Sequence, residues 1–118
     1  MNKQLQAKAI QAASRFCERR EYEILDTSWA PDGSDSQVDL VARDEETIVF
    51  IDVTATAEGG FEDGHTERAD MEVLTAAWLG QNSPEGDITV RFDIIDMIVV
   101  AEDRALLRHH LNAYSAVA

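Results

Sequence analysis

Lysine, proline and cysteine are all scarce in this chain: of its 118 residues two are lysine, two are proline and one is cysteine. The single thiol, Cys17, excludes an intramolecular disulfide and any zinc site built on several cysteines. Its place on the apolar stripe of the first helix predicts inert packing. No apolar run approaches the length of about 18 residues needed to cross a bilayer as a helix. The N-terminal stretch is amphipathic, rich in Gln and Ala, and lacks the apolar centre of a signal peptide, which predicts a cytoplasmic protein with no membrane segment. Positive charge is also short. Ten Lys and Arg stand against 23 Asp and Glu, for a net charge of −13. The imbalance is uneven: residues 1–20 hold Lys3, Lys8, Arg15, Arg19 and Arg20 against Glu18, for +4, and the remaining 98 residues carry −17. Nucleic-acid affinity comes largely from Lys and Arg neutralising phosphates. The acidic body therefore disfavours nucleic acid, and the basic N-terminal helix is the one part equipped to touch it. The plain alternative is that the charge serves solubility.

What is present is enough apolar sequence, 45% of residues, to bury a core in one domain. Leu5, Ala9, Ile10, Ala13, Phe16 and Cys17 recur at helical spacing, which predicts a helix over 3–20. Tyr22–Trp29 reads as a short strand, and Pro31–Ser36 as a turn or loop. Residues 37–43 and 48–55 read as a hairpin. Glu58–Gly64 is a loop and 66–79 a second helix, packing through Ala69, Met71, Leu74, Ala77 and Trp78 and stopping at Gly80. Trp29 and Trp78 read as core or interface anchors. Ile88–Val100 is the longest strand signal. Glu102 and Asp103 then favour the start of a third helix, packing Leu106, Leu107, His110, Leu111 and Tyr114. The expected order is α-β-β-β-α-β-α, an α/β fold with a mixed four- or five-stranded sheet flanked by helices.

The hairpin carries the chemistry. If its turn is Asp44–Thr47, Arg43 pairs with Ile48 and Asp39 lies opposite Asp52. One face then holds Val38, Leu40, Ala42, Val49, Ile51 and Val53, and the other holds Asp39, Val41, Arg43, Ile48, Phe50 and Asp52. Directly opposed like charges destabilise a sheet, so two acids in apolar strands point to a cation between them, first a divalent metal. Two carboxylates can hold Mg²⁺ together with water, and a metal can polarise a phosphate and activate water. The plainer reading is that the acids face solvent or that one pairs with Arg43.

The order and spacing of several segments resemble the YraN-like group of the PD-(D/E)xK nuclease superfamily. Phe16–Leu25 is similar to that group's helix-to-strand entry. Gln37-Val38-Asp39-Leu40-Val41-Ala42 is similar to its Gly-Glu-Ile-Asp-Leu-Ile-Ala strand, and Val49-Phe50-Ile51-Asp52-Val53-Thr54 to its Val-Phe-Val-Glu-Val-Lys strand. Ala77-Trp78-Leu79 and Arg91–Ile95 match the later helix and strand. The resemblance covers nearly the whole chain and implies one endonuclease-like domain over 1–118 with a restriction-endonuclease-like core. It implies Asp39, Asp52 and the Val53 carbonyl as ligands of Mg or Mn, with Gln37 and Thr54 at altered catalytic positions. The departures are specific. Thr54 stands for Lys, Gln37 for Glu, and Ile10 falls where the first helix usually has Glu; Glu67 and Asp70 stand where basic residues are usual. Thr54 supplies no positive charge, Arg43 is permanently protonated, and Arg68 could approach from the second helix.

Other titratable residues have plain readings. His109 and His110 are adjacent, about 100° apart on a helix, so they do not share a metal, and His110 reads as a packed histidine. His65 sits in a loop from which it could reach the site. Asp93 alternates outward, and Asp96 reads as a bend or edge charge. Two functions follow: a degenerate nuclease-fold protein with weak or no hydrolysis that binds a metal or nucleic acid, or a non-catalytic interaction domain or homodimer using an uncovered strand edge at 94–100.

Overall fold

The computed structural model describes residues 3–57, 68–84, 86–101 and 104–112. They run as α1 (Lys3–Arg19), β1 (Glu23–Trp29), β2 (Val38–Asp44), β3 (Thr47–Ala57), α2 (Arg68–Asn82), β4 (Thr89–Ala101) and β5 (Arg104–His110). The strands form one sheet in chain order. β3 and β4 are parallel and every other neighbouring pair is antiparallel. A parallel pair needs a long crossover connection, and α2 lies within it. The result is a mixed five-stranded α/β sheet flanked by helices, consistent with a restriction-endonuclease-like core.

Each helix covers one face. Ala9, Ile10, Ala13 and Cys17 of α1 are buried against Leu40, Ala42, Val49, Ile51, Val53, Ala55, Ile95 and Met97. The small side chains at 9 and 13 let the helix lie close to the strands. Burial pushes the Cys17 thiol up to about 11, with the nearby Asp93 charge adding to it, so the thiol stays protonated and unreactive. On the other face Met71, Leu74 and Trp78 of α2 pack on Val38, Val41, Ile48 and Phe50. Trp78 and Phe50 meet edge to face, with ring centroids 5.7 Å apart, and the Trp78 indole N–H donates to Asp26 Oδ2 at 2.8 Å. Trp29 packs at the margin of this cluster.

The hairpin has the expected turn, with Asp44 paired to Thr47 and Arg43 to Ile48. Val38 differs from expectation. It joins the α2-side cluster and not the face of Leu40 and Ala42. The β2–β3 ladder ends at Leu40–Ile51, so strict alternation lapses just before it. α2 also runs two residues past Gly80 to Asn82, where Asn82 Nδ2 donates to the Trp78 carbonyl.

The segment expected as a third helix is a strand. β5 pairs antiparallel with β4 from Ile94–His110 to Ala101–Arg104. The reason is tertiary: β4 is buried between its neighbours, and its outer backbone groups need partners that a helix would not supply. Leu107 of β5 closes the α1-side cluster. The edge at 94–100, expected to be available if left uncovered, is covered by β5. Asp93 points inward and is fully buried. The loop over 58–64, Glu67, Glu102, Asp103 and Tyr114, and the side chains of Lys3, Arg68, Ala69 and Val100, lie outside the described residues, as does His65.

α1 ends in a Schellman arrangement. Tyr22 N–H donates to the Cys17 carbonyl at 3.0 Å and Glu21 N–H to the Glu18 carbonyl at 2.9 Å, with Glu21 at φ 69°. A non-glycine residue there costs about 1–2 kcal/mol. Glu21→Gly is therefore expected to raise the melting temperature by roughly 4 °C, as read by calorimetry. An unchanged or lower melting temperature would contradict the strain assigned to this residue.

Candidate functional site

The site is built where β2 parts from β3. One step beyond the last paired residues, Leu40 and Ile51, stand Asp39 and Asp52, each buried to 4% exposure. The Asp39 carboxylate fills the gap left by the ended ladder. Its Oδ2 accepts the Val53 backbone N–H at 2.8 Å. Its Oδ1 accepts Gln37 Nε2 at 2.9 Å and Gln6 Nε2 at 3.4 Å. Three N–H donors thus answer this buried charge, two of them neutral side-chain amides. Gln37, expected at an altered catalytic position, is bonded to Asp39. Gln6 is an addition that sequence reasoning missed. The available signal was its spacing: it lies one helical turn before Ile10, which is itself packed in the core.

Thr54 lies two residues after Asp52 on β3, so the two share a side of the sheet. In the parallel ladder Thr54 sits beside Asp96 of β4, and its hydroxyl donates to Asp96 Oδ1. Asp96 Oδ2 takes a second bond from His110 Nε2 at 2.8 Å and lies 3.8 Å from Arg108 Nη2. Asp96 is therefore a buried hub and not a bend or edge charge. His110 is not packed in a helix stripe; its side chain is 46% exposed on β5. Arg43 does not serve Asp39. Its Nε donates to the Glu45 carbonyl of the turn at 2.9 Å. Asp52, Thr54, Asp96, Arg108 and His110 form one polar row on the α2 side, because the alternating residues Ile51, Val53, Ile95 and Met97 belong to the α1-side core.

A separate charged cluster lies on the α1 side. Asp93 Oδ1 accepts Arg91 Nε at 2.9 Å and the Asn112 N–H at 2.8 Å; Oδ2 accepts Arg91 Nη2 at 3.0 Å and His109 Nε2 at 2.7 Å. Arg91 also donates to the Tyr22 hydroxyl at 2.7 Å, and the His109 ring meets Phe16 and Tyr22 edge-on. Burial would raise the Asp93 carboxyl, but the bonds from His109, Arg91 and Asn112 outweigh it and hold the group below its ordinary value of 3.8. The Arg91 guanidinium is held in its charged form by Asp93 and Tyr22 against the effect of burial. This cluster ties Tyr22, just before β1, and Asp44 at the end of β2 to β4 and β5, and it sits across the sheet from the row containing Thr54.

A magnesium ion asks for oxygen donors in near-octahedral array. The three groups facing Asp39 are N–H donors, which a cation repels. Among the described residues no group of three or more His, Cys, Asp and Glu side chains is placed to hold a metal. As arranged, the donor set does not fit a resident divalent ion. Two surface grooves of about 630 and 580 Å³ flank α1 and are lined by Lys8, Arg15 and Arg19 among others. Neither is lined by Asp39, Asp52 or Thr54. Among the described residues no helix is long and apolar enough to cross a membrane.

Residues 11–97 match the Uncharacterised protein family UPF0102. The chain belongs to the UPF0102 family. The YraN-like resemblance read from the hairpin strands agrees with that membership. A UPF0102 protein of Geobacter sulfurreducens is 29% identical over 120 residues, covering 96% of this chain and 90% of the relative. Another, of Geobacter metallireducens, is 30% identical over 118 residues, covering 96% and 93%. A third, of Beutenbergia cavernae, is 30% identical over 105 residues, covering 82% and 84%. The UPF0102 match includes Asp39, Asp52, Thr54 and Asp96 and ends at residue 97, before β5.

Asp93 gives a prediction with a definite sign. Its folded carboxyl is held below 3.8, so its stabilisation is complete above the unfolded value and is lost as pH falls through the folded one. Asp93→Asn is expected to cost about 3 kcal/mol at pH 7, because it leaves the Arg91 guanidinium with only the Tyr22 hydroxyl and the more distant Asp44 carboxylate. The gap from wild type should narrow as pH drops below 3.8, in melting temperatures measured across acid pH. A gap that stays constant down to the acid limit would refute the ion-pair account.

Proposed function

We propose that this UPF0102 chain is a non-hydrolysing form of the nuclease fold, a binding domain for nucleic acid in which the former catalytic position serves as structure. The observation that carries this reading is the hydrogen bond from Thr54 to Asp96. A lysine at position 54 would bring a mobile positive charge beside Asp52. Threonine brings none, and its proton is committed to a neighbouring carboxylate. Gln6 and Gln37 point the same way, since neutral amides hold Asp39 where a cation would otherwise be expected.

The partner side of the reading rests on α1. Lys8, Arg15 and Arg19 are exposed on its outer surface, beside the two grooves, within an otherwise acidic chain. That surface is across the sheet from Asp52, Thr54 and Asp96. Nucleic acid held there would not present a phosphodiester to the carboxylates, which accounts for binding without cleavage. The rival reading, an interaction domain or homodimer pairing through the edge at 94–100, has less support because β5 takes up that edge.

The test is Mg²⁺- and Mn²⁺-dependent cleavage of labelled single-stranded, duplex and branched DNA. Wild type is expected to be indistinguishable from Asp52→Asn, with no saturable Mn²⁺ binding below about 1 mM by calorimetry. Cleavage by wild type that Asp52→Asn removes would overturn the proposal. Thr54→Lys alone is expected to stay inert, because Asp96 would capture the new ammonium. Thr54→Lys with Asp96→Asn is expected to gain Mn²⁺-dependent cleavage if the lesion lies at this position.

A further inference from the structure

We infer that β5 forms a phosphate-holding ledge beside Thr54, with Arg108 as its principal cation and a nucleoside monophosphate as its class of ligand. This site is separate from the α1 surface assigned to nucleic acid and stands or falls independently of it.

The ledge follows from topology. Alternation along β5 puts Leu107 and His109 on the α1 side, where Leu107 packs in the core and His109 bonds Asp93. Arg104, Leu106, Arg108 and His110 therefore share the α2 side. Among the described residues the apolar cluster under α2 reaches Phe50 and Phe92 and includes no residue of β5. Leu106 is 58% exposed, and the Arg108 and His110 side chains are 63% and 46% exposed. Arg104 is exposed as well. Two arginines and a histidine on one side of a seven-residue strand are notable in a chain of net charge −13.

Arg108 is available to a ligand although it lies near Asp96. Their contact is a single one at 3.8 Å, and an exposed pair of this kind contributes about 0–1 kcal/mol. Asp96 is already answered by the Thr54 hydroxyl and His110. The guanidinium has five N–H donors in a planar fork suited to phosphate, so most of them are free to turn toward an anion. Leu106 pairs with half-buried Ile98 on the same side, and the two give an apolar patch against which a base could lie. A long polyanion would meet the acidic body, whereas a single phosphate group needs no more than the ledge supplies. Because the UPF0102 match ends at residue 97, β5 lies outside it, and the ledge is proposed for this chain rather than for the family.

The experiment is an NMR titration of the ¹⁵N-labelled full chain with AMP, and with adenosine and inorganic phosphate separately. Saturable shifts are expected at Arg104–His110, Thr54 and Asp96. Arg108→Ala, at an exposed position, is expected to fold normally and to weaken AMP binding about tenfold or more, the loss of a charge-assisted contact. Asp96→Asn is expected to tighten it several-fold by removing the competing carboxylate. Adenosine alone and phosphate alone should each bind more weakly than AMP. No shifts at about 10 mM AMP, shifts confined to α1, or unchanged affinity in Arg108→Ala would each overturn the site. Adenosine binding as well as AMP would remove the phosphate role, and phosphate binding as well as AMP would remove the nucleoside. None of these outcomes bears on whether nucleic acid binds at α1 or whether DNA is cleaved.

Discussion

The parallel register of β3 against β4 is the constraint on which the rest of the structure depends. It is continuous from Thr47–Thr89 to Ala57–Val99. Because parallel neighbours lie in step, it fixes which β4 side chain accompanies each β3 side chain on both faces. It sets Phe50 against Phe92 under α2 and Val53 against Ile95 under α1. It also sets Thr54 against Asp96. Sliding β4 by one residue would exchange its faces, turning Asp93 and Asp96 each to the other side of the sheet, away from its present donors. Register, core packing and the polar row are therefore one choice.

Buried carboxylates are costly unless hydrogen-bonded, and this protein answers its acids in three ways. Asp39 takes a backbone N–H left over where a ladder stops, plus two amides. Asp96 takes a hydroxyl and an imidazole. Asp93 takes a guanidinium, an imidazole and a backbone N–H. Of these, the last is a full ion pair, and it is the one that knits three strands and the turn after β5. The other two are held largely by groups that carry no fixed charge.

Charge is distributed by element in the same spirit. The exposed cations of α1 and those of β5 lie on opposite sides of the sheet, with Glu18 also lining both α1 grooves. UPF0102 membership fixes the lineage of the fold and leaves activity to the site itself.

The sequence by itself determined the elements whose signals are local. The apolar stripe of α1, the hairpin turn with Arg43 against Ile48, α2 and the long β4 were all legible, because periodicity and turn chemistry are written in consecutive residues. Tertiary structure alone decided the remainder. Arg104–His110 has a helix-compatible pattern and becomes a strand because β4 needs an edge partner. Asp93 and Asp96 each read as surface charges until β5 brings His109, His110 and Arg108 to them. Gln6 becomes part of the site only once α1 lies across the sheet beside Asp39. In each case the deciding contact joins residues far apart in the chain, and such pairings leave no periodic trace in one sequence.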